Sequence, residues 1–437
     1  MQAEKRSQSY KDAILLKFML IYFFVHVMLY SSHNFKEALA KEVFKDEGFN
    51  YSYIEMLSVI KLGGSVFCTW ICQNRGYRPL LVGLGCVLLF TVCLHVFLQE
   101  IFKSWYFNML IYVIYTLSDT AILPTIDIEC LFLLDKYGME SEFSKIRLFS
   151  TVGHAITYII NQVLKKWIFS EDTLLKSVNL NTVISGLITA LFMYYTMVTV
   201  EKIEVRKKDM SLKKYQKGFS MFSLNFLTII VSSIGIGVSR TSFQSYLTMY
   251  LKQTRGKKND DYLIYFVRTI SELFVWSIVI RLKERVSLEV LFPFSLFLGS
   301  MRSFCYTFHP ENPHVENILP YFAEILKSAY SALFVYVSTK LIYKYSKENQ
   351  KALALGIFTG VYSGLAPFIS GILSFFIFNQ GMKQNLSTLE MLFHVVGWIG
   401  LVSTAIGAYP YFSSARRDRA RRQTSASENA SKEEIAI

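Results

Sequence analysis

Helix-length apolar stretches recur along this whole chain, and several carry ionisable residues well inside their ends. These are Lys17 and His26, Lys61, Asp119 with Asp127 and Glu129, Arg240, Arg268 with Glu272, Arg302, and Glu324 with Lys327. In hydrocarbon every backbone polar group must be bonded internally, so only helices and closed barrels span it. A charged side chain at that depth is costly and faces a polar interior or a partner, not lipid. The sequence is thereby confined to a bundle of membrane helices with a charged inside.

A span needs roughly 20 mostly apolar residues. The 437 residues are 52% hydrophobic, and stretches of that length fall at 13–34, 53–72, 79–99, 105–126, 148–169, 179–199, 220–250, 260–281, 288–308, 317–343, 352–379 and 388–412. The second is weakened by Lys61. The first is long enough to cross, and no small-residue cleavage site follows it, so it reads as a retained span. The expected fold class is an all-α integral membrane protein of twelve transmembrane helices. The polar segment Glu201 to Gly218 divides them into two six-helix halves, a recurrent transporter plan. The expected organisation is a cytoplasmic N-terminus (1–12), a first half (13–199), a basic cytoplasmic linker (200–219), a second half (220–412) and a disordered cytoplasmic tail (413–437).

The formal net charge of +13 follows this topology. Basic residues concentrate in the loops and termini that lie inside if both termini are cytoplasmic, as the positive-inside rule expects. That accounts for the charge without any nucleic-acid polymer as partner. With sequons in two loops on the opposite side, it favours a plasma-membrane protein. The six cysteines lie in or beside spans, so no disulfide framework is expected. Cys68 and Cys72 share a helix face but lack further ligands for a metal. There is no nucleophile–base pair, His-rich cluster or nucleotide loop, which argues against an enzyme and against a cofactor.

Glycines concentrate in a few spans: Gly63 and Gly64 after Lys61, Gly235 and Gly237, and Gly356, Gly360, Gly364 and Gly371 with Pro367. Small residues one turn apart let membrane helices approach closely, and they also permit bending.

Several local patterns resemble the major facilitator superfamily, within it the branch that holds lactose permease, the nucleoside–proton symporters and the major facilitator domain-containing 6 proteins. Gln73 to Arg78 keeps the glycine and last arginine of the superfamily's loop after span 2 but lacks its acid. Lys145-Ile-Arg147 through Gly153-His154 is similar to the branch pattern at the start of span 5. Ser271-Glu272 resembles the acidic motif of span 8, Gly299-Ser-Met-Arg302 the arginine motif of span 9, and Asn349 through Gly364 the loop and start of span 11. The resemblance implies a monomeric carrier. In it Arg147 pairs with an acid late in span 4, Glu129 or its neighbour Asp127, to hold a small-molecule substrate, with His154 in place of a stacking aromatic. It puts the branch's proton-handling His and Glu of span 10 near Tyr330 and Leu333, whereas the acid and base present here are Glu324 and Lys327.

On the residues themselves, Arg268 and Glu272 are one turn apart, as are Glu324 and Lys327. Each pair either neutralises itself within its helix or belongs to an exchangeable network, in which Glu272, Glu324 and Lys327 would couple transport to protons. Lys61, Arg240, Arg268, Arg302 and Lys327 together favour an anionic or strongly polar solute, nucleoside- or nucleotide-like, over a neutral sugar, because arginine suits bidentate anion contacts. The expected binding residues are Asp127, Glu129, Arg147, His154, Arg240, Arg268 and Arg302. Sugar–proton symport, anion exchange, and a receptor that kept a carrier fold stay open as alternatives.

Overall fold

The structure, a computed structural model, describes residues 2–31, 50–75, 105–167, 223–255, 261–282, 285–347, 350–379 and 385–413, with a few isolated positions besides. The stretches expected to span at 79–99 and 179–199, the 200–219 linker and most of the tail lie outside the described residues, as do Gly76 to Arg78 and the side chains of Asp119 and Tyr158.

Every extended element described is helical. The helices are α1 (Gln2–Ser31), α2 (Asn50–Leu57), α3 (Ile60–Arg75), α4 (Trp105–Lys136), α5 (Phe143–Trp167), α6 (Leu224–Arg255), α7 (Asp261–Leu282), α8 (Leu288–Thr307), α9 (Pro313–Tyr345), α10 (Lys351–Gly360), α11 (Ala366–Asn379) and α12 (Leu386–Gly407). Two of the expected spans are irregular. The weak second span divides into α2 and α3 at Ser58–Val59, just before Lys61. The eleventh consists of α10 and α11 joined by a π-helical turn, Val361–Leu365. Among the described residues, seven helical runs are long and apolar enough to cross a membrane. Helices α4, α5 and α7, at 32, 25 and 22 residues, are also long enough, and they carry Asp127, Arg147 and Glu272. The protein is therefore an all-α, multi-pass membrane protein.

Within the first part of the chain α1 packs on α5 and α3 on α4; within the second, α8 packs on α9 and α12, α7 on α9, and α6 on α12. The two parts meet along two seams among the described residues, α2–α4 against α10–α11 and α5 against α7. The glycines of span 11 form the first seam. A Cβ on Gly364 would stand 2.7 Å from the backbone N of Leu62 and 3.0 Å from the carbonyl oxygen of Ser58; one on Gly371 would stand 2.6 Å from the oxygen of Ser52 and 2.8 Å from the N of Met56. Backbone therefore lies on backbone here, as small-residue spacing requires. Ser65 ties the seam further by donating to the Gly356 carbonyl at 3.0 Å.

Two helix-internal prolines each precede a buried acid by about one turn: Pro124 before Asp127 in α4, and Pro320 before Glu324 in α9. Proline removes one helical hydrogen bond and crowds the preceding turn. Each acid thus sits on a helix already irregular beside it.

Gly364→Ala should lower stability by about 1–3 kcal/mol, because no flexible side chain can yield to the added methyl. Gly63→Ala, where nothing lies within 4 Å of the added Cβ, should change little. Thermal unfolding of the two purified variants beside the parent checks the contrast.

Candidate functional site

The first cluster is built on α1, α4 and α5. Asp127 is buried, and its carboxylate accepts short hydrogen bonds from the Tyr22 hydroxyl and from Arg147 Nη2. The Arg147 guanidinium lies 5.3 Å from the Tyr22 ring centre and 5.6 Å from that of Phe143, so the cation is held between a carboxylate and aromatic faces. Arg147 Nε is buried with no hydrogen-bond acceptor among the described residues. Of the two acids expected near Arg147, Asp127 is the partner. Glu129 lies two residues on, about 200° round the helix, on a different face.

Helix α5 reaches this position because Gly153 packs directly on the Phe23 carbonyl of α1. The next residue, His154, stacks on Tyr30 with ring centres 3.6 Å apart and planes 18° from parallel. His26 continues the stack from the α1 side, and its Nδ1–H donates to the Tyr22 carbonyl at 2.9 Å. That bond makes His26 a packing group of its own helix.

The second cluster joins α7, α8 and α9. Glu324, with 0% of its surface exposed, is the centre. Arg302 donates to its Oε1 through Nη2 at 2.6 Å and Nε at 3.2 Å, the Tyr306 hydroxyl donates to the same oxygen at 3.0 Å, and Arg268 Nε bonds Oε2. Arg302 also lies 4.3 Å from the Phe243 ring centre. Lys327, one turn after Glu324, takes the other acid: its Nζ is 3.2 Å from Glu272 Oε2. Of the two arrangements left open by the sequence, neutralisation within each helix or a wider network, the pairs here cross between α7 and α9. Each cation satisfies the carboxylate of the facing helix, which also fastens the helices together.

A hydrogen bond links the clusters: Thr151 Oγ1 donates to Glu272 Oε1 at 3.3 Å. Thr151 stands one turn beyond Arg147, and Glu272 one turn beyond Arg268, so the bond crosses the α5–α7 seam between the two charge arrays.

Arg240 of α6 stands apart. It is half-buried, its guanidinium is 4.8 Å from the Tyr362 ring centre, and no carboxylate pairs with it among the described residues. Tyr362 belongs to the π-helical turn, a feature frequent at functional positions. The hydroxyls of Tyr362, Tyr330 and Tyr30 lie within electrostatic reach of Arg240, and Tyr30 is also within reach of Arg147. Tyr30, on α1, thus stands between the arginine of the first cluster and that of the second part of the chain. Tyr246 of α6 is fully buried, with its hydroxyl on Ser52.

Sequence reasoning missed Tyr22, Tyr30, Tyr306 and Tyr362, for which 27 tyrosines gave no selective signal. It also missed Glu55, an acid inside the weakened second span that could have been found by asking what neutralises it. Among the described residues no group of three or more His, Cys, Asp or Glu side chains could hold a metal ion.

The arrangement resembles solved carriers in fold. The nucleoside transporter NupG, as a D323A mutant, superposes with a TM-score of 0.63 at 14% identity, covering 90% of this chain and 98% of that one. The human organic anion transporter MFSD10 gives 0.61 at 10% identity over 90% and 98%, and the proton:xylose symporter XylE gives 0.65 at 13% over 91% and 95%. No curated protein matches the chain by sequence. The model of the family described as MFS_1 like matches residues 15–388. A match over that much of the chain, with the carrier fold around the paired charges, places this protein in the MFS_1-like family: it is a membrane transporter of the major facilitator superfamily and not an enzyme.

Proposed function

We propose that the protein is a twelve-helix secondary transporter that carries a small anionic or strongly polar organic solute, nucleoside- or nucleotide-like, by alternating access with proton coupling. In this reading the halves are 13–199 and 220–412, joined by the basic linker 200–219. Both termini (1–12 and 413–437) face the cytoplasm, and the carrier works as a monomer in the plasma membrane. Substrate would lie between Arg147 and His154 on one side and Arg240 on the other, with Arg302 and Arg268 beyond.

The observation that carries the substrate class is Arg240. A guanidinium among tyrosine rings, with no carboxylate of its own among the described residues, is suited to an anion that also presents an aromatic or sugar face. The buried, unbonded Nε of Arg147 offers a second donor. Two arginines sharing Glu324 leave that cluster cationic as well. Solved carriers of this fold named for nucleoside and for organic anion transport agree with such a solute.

For coupling, the two acids differ. Glu324 is held by two arginines and a tyrosine, and a proton there would displace most of these bonds. Glu272 has one ammonium and one threonine, and the Lys327 and Glu272 side chains are 17% and 13% exposed. Protonation of Glu272 would release Lys327 and the Thr151 bond across the seam. That would change the contact between α5 and α7 that alternating access must break. In this reading Glu272 and Lys327 couple transport, and Glu324 holds the structure.

Arg240→Gln should reduce uptake of nucleotides and other anionic solutes into vesicles by about tenfold or more, while Arg240→Lys should retain part of it. Unchanged uptake by Arg240→Gln would remove the anion reading. Glu272→Gln should abolish acceleration by an inward proton gradient while leaving exchange of internal for external substrate. Glu324→Gln should lower stability by about 3–5 kcal/mol, because it strands two buried guanidiniums. Its unfolding temperature should therefore fall far below that of Glu272→Gln.

A further inference from the structure

Glu55 lies in α2 at 3% exposure, and neither of its carboxyl oxygens makes a hydrogen bond in this conformation. It belongs to neither charge cluster. Helix α11 lies against it, because Gly371 brings its backbone onto Ser52 and Met56, with a Cβ there only 3.0 Å from Glu55 Cβ. Around it is a nest of hydroxyls from three helices: Ser52 of α2, Ser242, Ser245 and Tyr246 of α6, and Ser370 and Ser374 of α11. The hydroxyls of Ser245 and Ser370 face the carboxyl group, and no charged side chain does so among the described residues. Tyr246 is the titratable neighbour from α6, and the facing groups from α11 are serines.

The surrounding hydroxyls and the lack of a facing charge among the described residues bear on what Glu55 can be. Ser242 donates its proton to the Val238 carbonyl at 3.1 Å. In the 2.9 Å contact between Ser242 and Ser370 either oxygen can be the donor, and while Ser242 keeps its proton on Val238 the donor is Ser370. A hydroxyl has one proton, so in that arrangement the Ser370 oxygen accepts from Glu55. A second chain of hydroxyl contacts runs from Tyr246 to Ser52 at 3.1 Å, from Ser52 to Ser374 at 2.9 Å and from Ser374 to the Gly371 carbonyl at 3.1 Å. That chain is complete without Glu55. The Ser245 hydroxyl faces the carboxyl group with a proton to offer. A neutral carboxylic acid satisfies this nest: its carbonyl oxygen accepts from Ser245, and its O–H donates to Ser370. An ionised carboxylate would have no countercharge among the described residues, in a place where uncompensated charge is costly.

We infer that Glu55 is a proton-binding site of this transporter, separate from Glu272, and occupied while α2, α6 and α11 are closed around it. Parting these helices would admit water. The O–H bond would then break, the proton would leave to water, and the carboxylate would stay behind as a hydrated anion. The role in transport rests on the carrier reading above; the bound proton does not.

Infrared difference spectroscopy of the purified protein near neutral pH tests this, with buffers of potassium or of sodium. The spectrum of the parent minus Glu55→Gln should contain the C=O stretch of a protonated carboxyl group. Ser370→Ala should move that band to higher wavenumber, because the acid loses its acceptor. A difference spectrum with carboxylate stretches alone would overturn the inference, as would loss of the protonated band when sodium replaces potassium, which would make this a sodium site. Should Glu55→Gln fail to fold, Ser370→Ala decides: an unmoved carboxyl band overturns the inference. The readout is the carboxyl group itself, so failure of proton coupling at Glu272 would leave it standing.

Discussion

Glu324 is the constraint on which the second part of the chain depends. Its carboxylate is wholly buried and receives Arg268 from α7, Arg302 and Tyr306 from α8, and it is itself carried by α9. In a hydrocarbon setting none of these cations could be left alone. Three helices are therefore joined by an electrostatic need rather than by apolar contact, which lipid would supply equally well. Asp127 does the same on a smaller scale for α1, α4 and α5. The remaining charges take their places from these two: Lys327 and Glu272 face each other one turn away from Glu324 and Arg268, and Thr151 meets Glu272 one turn away from Arg147.

Between the parts of the chain the cohesion is of another kind. Along α2–α3 and α10–α11 it is backbone on backbone at glycines, with serine hydroxyls completing the contact. Such a seam loses little when it parts, because water can replace each hydroxyl bond. The buried ion pairs within a cluster would lose much more. This contrast suits a molecule whose bundles persist while the seams between them open. The π-helical turn at Val361–Leu365 lies in the seam and presents Tyr362 to Arg240, so the same irregularity serves both the contact and the site.

Much of this could be read from the sequence, and the failures have definite causes. Spans declare themselves through length and hydropathy, and the glycines at 356, 360 and 364 repeat at one helical turn, so the close approach they permit was visible. The choice between Asp127 and Glu129 was not: it depends on the rotation of α4 relative to α5, which no spacing along one helix reveals. Whether the charges one turn apart in α7 and α9 pair within their helices stayed open for a related reason. Sequence displays neighbours within a helix, whereas the facing helix offers the buried carboxylate its bonds. Arg240 announced itself as an unaccompanied cation, but its tyrosines, drawn from α1, α9 and the π turn, come from positions far apart in the chain. Glu55 went unnoticed beside the more conspicuous Lys61 because its meaning lies in hydroxyl groups of two distant spans.

The measurement closest to the central claim is uptake of radiolabelled nucleosides, nucleotides and sugars by vesicles containing the purified, folded protein, with and without an inward proton gradient. Gradient-accelerated accumulation of the nucleoside or nucleotide solutes, well above that of neutral sugars, is the outcome this account expects. Exclusion of every solute by protein shown to be folded would contradict it and leave a receptor built on a carrier fold.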